Sequence, residues 1–287
     1  MKIIRSTKIQ QQIKTATKLR NEIINKLISS GMENLTQENL TEKKYGHPLI
    51  HTLCCAAESF KPILSSVEII NLDRRLSMLP GPFFTTYEYS IPTSESGNML
   101  PLLQINLNEL SQLRGEDFGD GLLQIWCDPD WQVNEREFIR IIPSEELILE
   151  NLTEFDLFDE KYSFESNPIP DEWTYDYTLE NVMVITGYES LGIHAQTSRL
   201  ENFGDFPEEY FDLIFDKLEN FKKITEQDSE FHLFGSFYPI HYDSSELEAK
   251  WNCLVSFSDW GVMGNAQVFY YLSKDGSMSV YLRESLR

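Results

Sequence analysis

The chain writes one short paragraph twice. Residues 102–126 read LLQINLNELSQLRGEDFGDGLLQIW, and residues 254–272 read LVSFSDWGVMGNAQVFYYL. Each has an apolar run, a polar loop ending in glycine, and a second apolar run entered through a glutamine. Short apolar runs bounded by glycine and polar residues read as strands joined by turns. In register, Gly121-Leu-Leu-Gln124-Ile-Trp126 aligns with Gly264-Asn-Ala-Gln267-Val-Phe269. Upstream, Leu102-Leu-Gln104-Ile105 aligns with Leu254-Val-Ser256-Phe257, and Gly81 and Gly235 precede these runs by similar distances. Three anchors in one order predict a duplicated strand–loop–strand unit, about 66–143 and 225–287. The spacing between copies is too long for a solenoid.

Around the repeat the grammar is mixed. Residues 6–30 place Ile9, Ile13, Ala16, Leu19, Ile23 and Leu27 on one helical face. Ser6 or Thr7 caps the start and Gly31 suits the stop. The isoleucine stripe is expected to pack on the main body. Residues 47–60, HPLIHTLCCAAESF, predict a second helix with Pro48 in its first turn. Strands are expected at 67–70, 83–91, 102–107, 122–126, 138–142, 231–238, 253–257, 267–272 and 278–282. Residues 144–181 are acidic and broken by prolines, the composition of a surface connection. A helix is expected to start at Pro207, behind Asp205, with Tyr210, Ile214, Leu218 and Phe221 on one face. The reading is therefore α+β, with duplicated antiparallel β units and an N-terminal helical extension. Residues 1–65 are the helical segment packing on the main domain, and 66–287 are that domain.

Charge narrows the partners. The formal net charge is −22, yet residues 1–28 hold Lys2, Arg5, Lys8, Lys14, Lys18, Arg20 and Lys26 against Glu22 alone. The rest of the chain is more negative still than the total. Such a body repels phosphate backbones, so no nucleic-acid partner is expected, and it attracts basic proteins. The four cysteines, Cys54, Cys55, Cys127 and Cys253, form no disulfide framework or Cys-x-x-Cys pair, which fits a reducing, cytoplasmic compartment. No run approaches the roughly 18 apolar residues of a membrane span.

The same anchors carry a family resemblance. His232-Leu-Phe-Gly235-Ser236-Phe237-Tyr238-Pro239, then His241-Tyr-Asp243, then Trp251-Asn-Cys-Leu254-Val-Ser256-Phe257-Ser258-Asp259, closes on Trp260-Gly261-Val262-Met263-Gly264. In the first half, Pro101-Leu-Leu-Gln104-Ile105-Asn106-Leu107 precedes Gly121-Leu-Leu-Gln124-Ile-Trp126. This resembles the YwqG-like family, a bacterial domain of unknown function, over roughly residues 65–283. The departures are Ser236 for a second glycine, an extra residue before Pro239, Ser256 for Gln, Ser258 and Val262 for Asp, and Asn106 for Asp. They remove charge from the family's polar positions, and they argue against carrying over a catalytic reading. The resemblance implies an α+β fold with a duplicated β core, a bacterial cytoplasmic setting, and gene neighbourhoods shared with secreted toxins and their immunity proteins.

Constellations of catalytic type are thin. His47, His51 and Cys54 share a helical face, but structural zinc takes four ligands. GEDFGDG at 115–121 lacks EF-hand spacing, and neither a P-loop nor a Gly-x-Ser-x-Gly elbow occurs. No catalytic residue, metal or cofactor is expected. The leading expectation is a non-enzymatic binding protein of immunity type, steered by charge onto a basic toxin domain. Asp156, Asp159, Glu160, Trp173, Tyr175 and Asp176 in the acidic connection are its candidate contacts. The alternative is a small-ligand or hydrolytic site between the duplicated units, carried by Gln104, Gln267, His232 and His241. Oligomeric state is left open.

Overall fold

In the computed structural model, the described residues are 1–29, 57–79, 81–95, 97–128, 137–155, 181–194, 231–235, 252–257, 265–272 and 278–285. Among them the protein is α+β and mostly strand. In chain order come β1 (Lys2–Ile4), α1 (Thr7–Ser29), β2 (Ala57–Glu68), β3 (Thr93–Ser94), β4 (Gly97–Asn98), β5 (Leu100–Asn106), α2 (Leu107–Arg114), β6 (Leu122–Cys127), β7 (Glu137–Ile142), β8 (Asn181–His194), β9 (Phe231–Phe234), β10 (Asn252–Phe257), β11 (Asn265–Leu272) and β12 (Met278–Ser285).

Seven strands lie in the order β1-β8-β2-β9-β10-β11-β12, and three in the order β5-β6-β7. Met78 stitches the two sheets together, bridging Gln104 of β5 on one side and Val184 of β8 on the other. The whole array thus runs outward in two directions from an antiparallel central pair, β2 and β8. One wing is the Met78 segment, β5, β6 and β7; the other is β9, β10, β11 and β12. At the far ends, β12 approaches β7.

One apolar core serves both wings. It collects Leu103 and Ile105 of β5, Leu123 and Ile125 of β6, Leu233 of β9, Val255 of β10, and Val268 and Tyr270 of β11, with Phe60 and Tyr188 from the central pair. Strand alternation selects these residues, since every second side chain faces the same way. Helix α2 drops Leu107, Leu110 and Leu113 into the same core. Its ends are written locally. The Asn106 side chain accepts the Asn108 N–H at the start, and Gly115 takes the left-handed stop at φ 71°.

Three sequence expectations need correction. Residues 57–60, read as the end of a helix, open β2, and a boundary at 65/66 falls inside that strand. Long-range pairing with β8 along the full length of β2 outweighs the local helical pattern. Pro62 is tolerated because β9 pairs with β2 only at Ser59 and Phe60. Residues 83–91 form no strand; they are an irregular segment held by side chains, described below. The 14-residue β8 stands where no strand was expected. Helix α1 spans Thr7–Ser29 and lies against β8. The expected helix at Pro207 and the acidic connection beyond Phe155 lie outside the described residues.

Candidate functional site

The strongest polar structure in the described residues is a row across the first wing: Met78, Gln104, Gln124 and Arg140. Each is paired to the next across neighbouring strands. Gln104 and Gln124 are fully buried, so each amide group must find a partner. Gln104 Oε1 accepts the Phe84 N–H at 2.9 Å and Gln124 Nε2 at 2.7 Å. Its Nε2 donates to the carbonyls of Arg74 at 2.8 Å and Leu76 at 2.7 Å. Gln124 Nε2 also donates to Phe84 O, and its Oε1 accepts from Arg140 Nε at 2.8 Å and from Trp126 Nε1.

Arg140 completes the row by donating to the carbonyls of Ser90 and Tyr89. Its guanidinium lies over the rings of Trp126, Phe138 and Tyr89. Arg74, from the preceding segment, donates to the carbonyls of Pro82, Phe83 and Thr153 and to Thr85 Oγ1, and sits over Phe155. Burial lowers the pKa of each of these two arginines to about 10, which leaves both charged at neutral pH. Residues 77–79 bond to both sheets through their backbone, and beyond them the glutamines and arginines replace a regular ladder for residues 82–90. This is why a stretch rich in β-forming residues, FFTTYEY, is pinned yet not a strand.

The second wing repeats the register. Gln104 faces Gln124, and Ser256 faces Gln267. Gln124 faces Arg140, and Gln267 faces Arg283. Met78 faces Gln104, and His232 faces Ser256. The β-bulge falls at the same place, between Pro101 and Leu103 in one wing and between Cys253 and Val255 in the other. Gly81 lies three residues after Met78, as Gly235 does after His232. The second row is therefore His232, Ser256, Gln267 and Arg283.

These placements sort the expected groove residues. Gln104 does not face a groove: its amide is consumed by the chain, which corrects its assignment as a ligand contact. His232 and Gln267 share the second row, with Ser256 between them. His241, and all of Asp156, Asp159, Glu160, Trp173, Tyr175 and Asp176, lie outside the described residues. Arg140 and Arg283 were not singled out from sequence. Only the strand register marks them, because each follows its glutamine across a pair of strands and not along the chain.

Two buried clusters join the wings through α2 and its exit. Glu109 accepts from Ser77 Oγ and Tyr188 Oη, both at 2.8 Å. Burial, reinforced by Glu109, pushes the Tyr188 phenol well above its usual range. Glu116 pairs with Arg114 at 3.3 Å and accepts from Tyr270 Oη at 3.3 Å. Arg114 also lies over Phe234 of β9. Burial raises the Tyr270 phenol in the same direction.

Among the described residues no group of three or more His, Cys, Asp or Glu is placed to hold a metal ion, and no helix is long and apolar enough to cross a membrane. No protein-family model matches the chain, and a search of curated proteins finds no match.

Proposed function

We propose that the protein is a non-enzymatic binding protein of immunity type, which neutralises a basic toxin domain by charge-steered docking in the bacterial cytoplasm. The observation that carries this reading is the formal net charge of −22, borne by a chain whose first turns are basic. Such a surface accelerates encounter with a cationic partner and turns away nucleic acid. The chemistry of the first wing adds support. Its buried glutamines and arginines are spent on backbone carbonyls and amides, an arrangement that holds a scaffold together.

The finer architecture belongs to the same proposal. The two wings are copies of one β unit, each flanked by the central strand that precedes the other copy. The shared register, bulge and glycine position support that reading, as do the motifs that resemble the YwqG-like family. The acidic connection supplies the docking contacts, with Trp173 and Tyr175 as aromatic anchors among Asp156, Asp159, Glu160 and Asp176.

Calorimetric titration with the product of the adjacent reading frame tests this. Binding should weaken steeply between low and physiological salt. It should be lost when Asp156, Asp159, Glu160 and Asp176 are changed to Lys, and should survive His232→Ala and His241→Ala. Binding that ignores both salt and the charge reversals would overturn the docking role.

A further inference from the structure

Tyr87 is the most exposed large apolar side chain among the described residues, at 93% of its surface. It does not stand on a loose loop. Tyr87 and Glu88 are the central residues of a tight turn, closed by the Thr86 N–H donating to Tyr89 O and the Tyr89 N–H donating to Thr86 Oγ1. Arg140 donates to the carbonyls of Tyr89 and Ser90 and so ties the turn to β7. A ring held in water on a fixed base loses little freedom when a partner covers it. Two short turns after β7, Ser144–Glu146 and Leu149–Asn151, lie beside it. Leu147, Leu152 and Tyr89 pack on one buried cluster of Phe84, Leu122 and Ile142, and the Thr153 N–H donates to Thr85 O. With Leu147 turned inward, its neighbour Ile148 is left 44% exposed. Phe138 of β7, also exposed, lies with Tyr89 beneath the Arg140 guanidinium. Burial raises the pKa of the Tyr89 phenol, and Glu88, Glu146 and Glu145 are near enough to push it the same way. Among the described residues, none of these three carboxylates makes an ion pair or a side-chain hydrogen bond.

We propose that Tyr87, Glu88, Phe138, Glu145, Glu146 and Ile148 form a docking surface for a basic protein segment with an apolar face. This deepens the docking role proposed above and rests on that reading for the identity of the partner. Charge complementarity selects the occupant. Three unpaired carboxylates flank the exposed aromatic and aliphatic side chains. The guanidinium beneath them, Arg140, is already committed to Gln124 and to the carbonyls of Tyr89 and Ser90. Nucleic acid or an acidic peptide meets like charge here. A segment that is basic but wholly polar leaves Tyr87 and Ile148 in water, and a wholly apolar one strips water from the carboxylates without replacing it. A segment with both characters satisfies both sets of residues. The chain also leads from this surface into the acidic connection: Thr153 bonds to Thr85, Phe155 packs on Trp126, and Asp156 is the next residue.

The test is an NMR titration of the isotope-labelled full chain with a synthetic amphipathic peptide of lysine and leucine. Oligolysine of equal charge and an amphipathic peptide of glutamate and leucine are the controls. The expected result is saturable shifts at the backbone amides of Tyr87, Glu88, Phe138, Glu145, Glu146 and Ile148 with the lysine–leucine peptide. Oligolysine should bind at least about tenfold more weakly, and the glutamate peptide should cause no shifts. Tyr87→Ala should weaken binding about tenfold. Glu145→Lys should weaken it about threefold at low salt, an effect that fades as salt rises. Glu189→Lys makes the same charge change on β8 and should cost less than about twofold. Shifts spread over the acidic surface at large, equal binding of oligolysine, or full affinity in Tyr87→Ala would each overturn the proposal. If a variant fails to fold, the wild-type titrations decide alone: saturation confined to this surface supports it, and its absence removes it. Calorimetry with the product of the adjacent reading frame separates this proposal from the docking role. Binding that is lost on charge reversal at 156–176 but ignores Tyr87→Ala keeps the role and removes this surface. No binding of that product, with peptide shifts still confined here, removes the role and keeps the surface.

Discussion

The first wing and the second wing share one pairing register, and they place different residues on it. In the first, a row of glutamine and arginine is turned inward on the chain, and each amide or guanidinium group ends on a backbone partner. In the second, the same positions carry a histidine and a serine where the first has methionine and glutamine. A shared pairing register thus fixes where polar residues stand and leaves open what they serve. Position alone does not make a site: Gln104 sits at the best-defined place in the fold and has nothing left to offer a ligand.

The sharpest way to break that contrast is Gln104→Ala set against Ser256→Ala. Loss of the Gln104 amide strands buried donors and acceptors from three segments, and should cost about 3–4 kcal/mol in urea unfolding. Ser256→Ala should cost about 1 kcal/mol or less. Equal costs would mean that the two rows carry equal structural weight.

A smaller effect separates two glycines that bracket the loop of the first wing. A Cβ on Gly121, at φ 122°, would stand 2.2 Å from Ile142 O, so Gly121→Ala should cost about 2–3 kcal/mol. Gly115, at φ 71°, has nothing within 4 Å of that point, and Gly115→Ala should cost about 1 kcal/mol. Denaturation midpoints of the two variants check the difference, which ties the entry of β6 to its packing on β7.

The mildest contrast concerns the tyrosines that the two α2-linked glutamates hold, Tyr188 on the central pair and Tyr270 on the second wing. Burial raises both phenols above their ordinary pKa of about 10. A raised folded-state pKa gives stability that is fully present below the unfolded value and drains away as pH climbs past it. Stability should therefore fall above about pH 10, and Tyr188→Phe should flatten that alkaline loss while costing about 1 kcal/mol at neutral pH. Urea midpoints across the alkaline range read both effects.

The sequence made the strands of the two wings legible because their signal is local. Leu102 to Ile105, Leu122 to Trp126 and Val268 to Leu272 are apolar runs with turn residues at their ends, and the glutamines stood out as matched anchors. Helix α2 was written in Asn106 and Gly115 but lay hidden inside a segment read as a loop. Strands β2 and β8 were illegible for a different reason. Each is interrupted by residues that weaken a strand locally, Pro62 in one and Gly187 and Gly192 in the other, and each is a strand because the other pairs with it. The polar row was half visible. Gln104 and Gln124 were found, yet Arg140 and Arg283 join them only across strands, and no spacing along the chain encodes that.

The claim on which the rest stands is that the two wings share one register, and interstrand nuclear Overhauser contacts read it directly. Cross-strand contacts should place Gln124 between Gln104 and Arg140, and Gln267 between Ser256 and Arg283. A one-residue slip in either wing would carry its polar residues to the opposite face, dissolve the second row, and contradict the account.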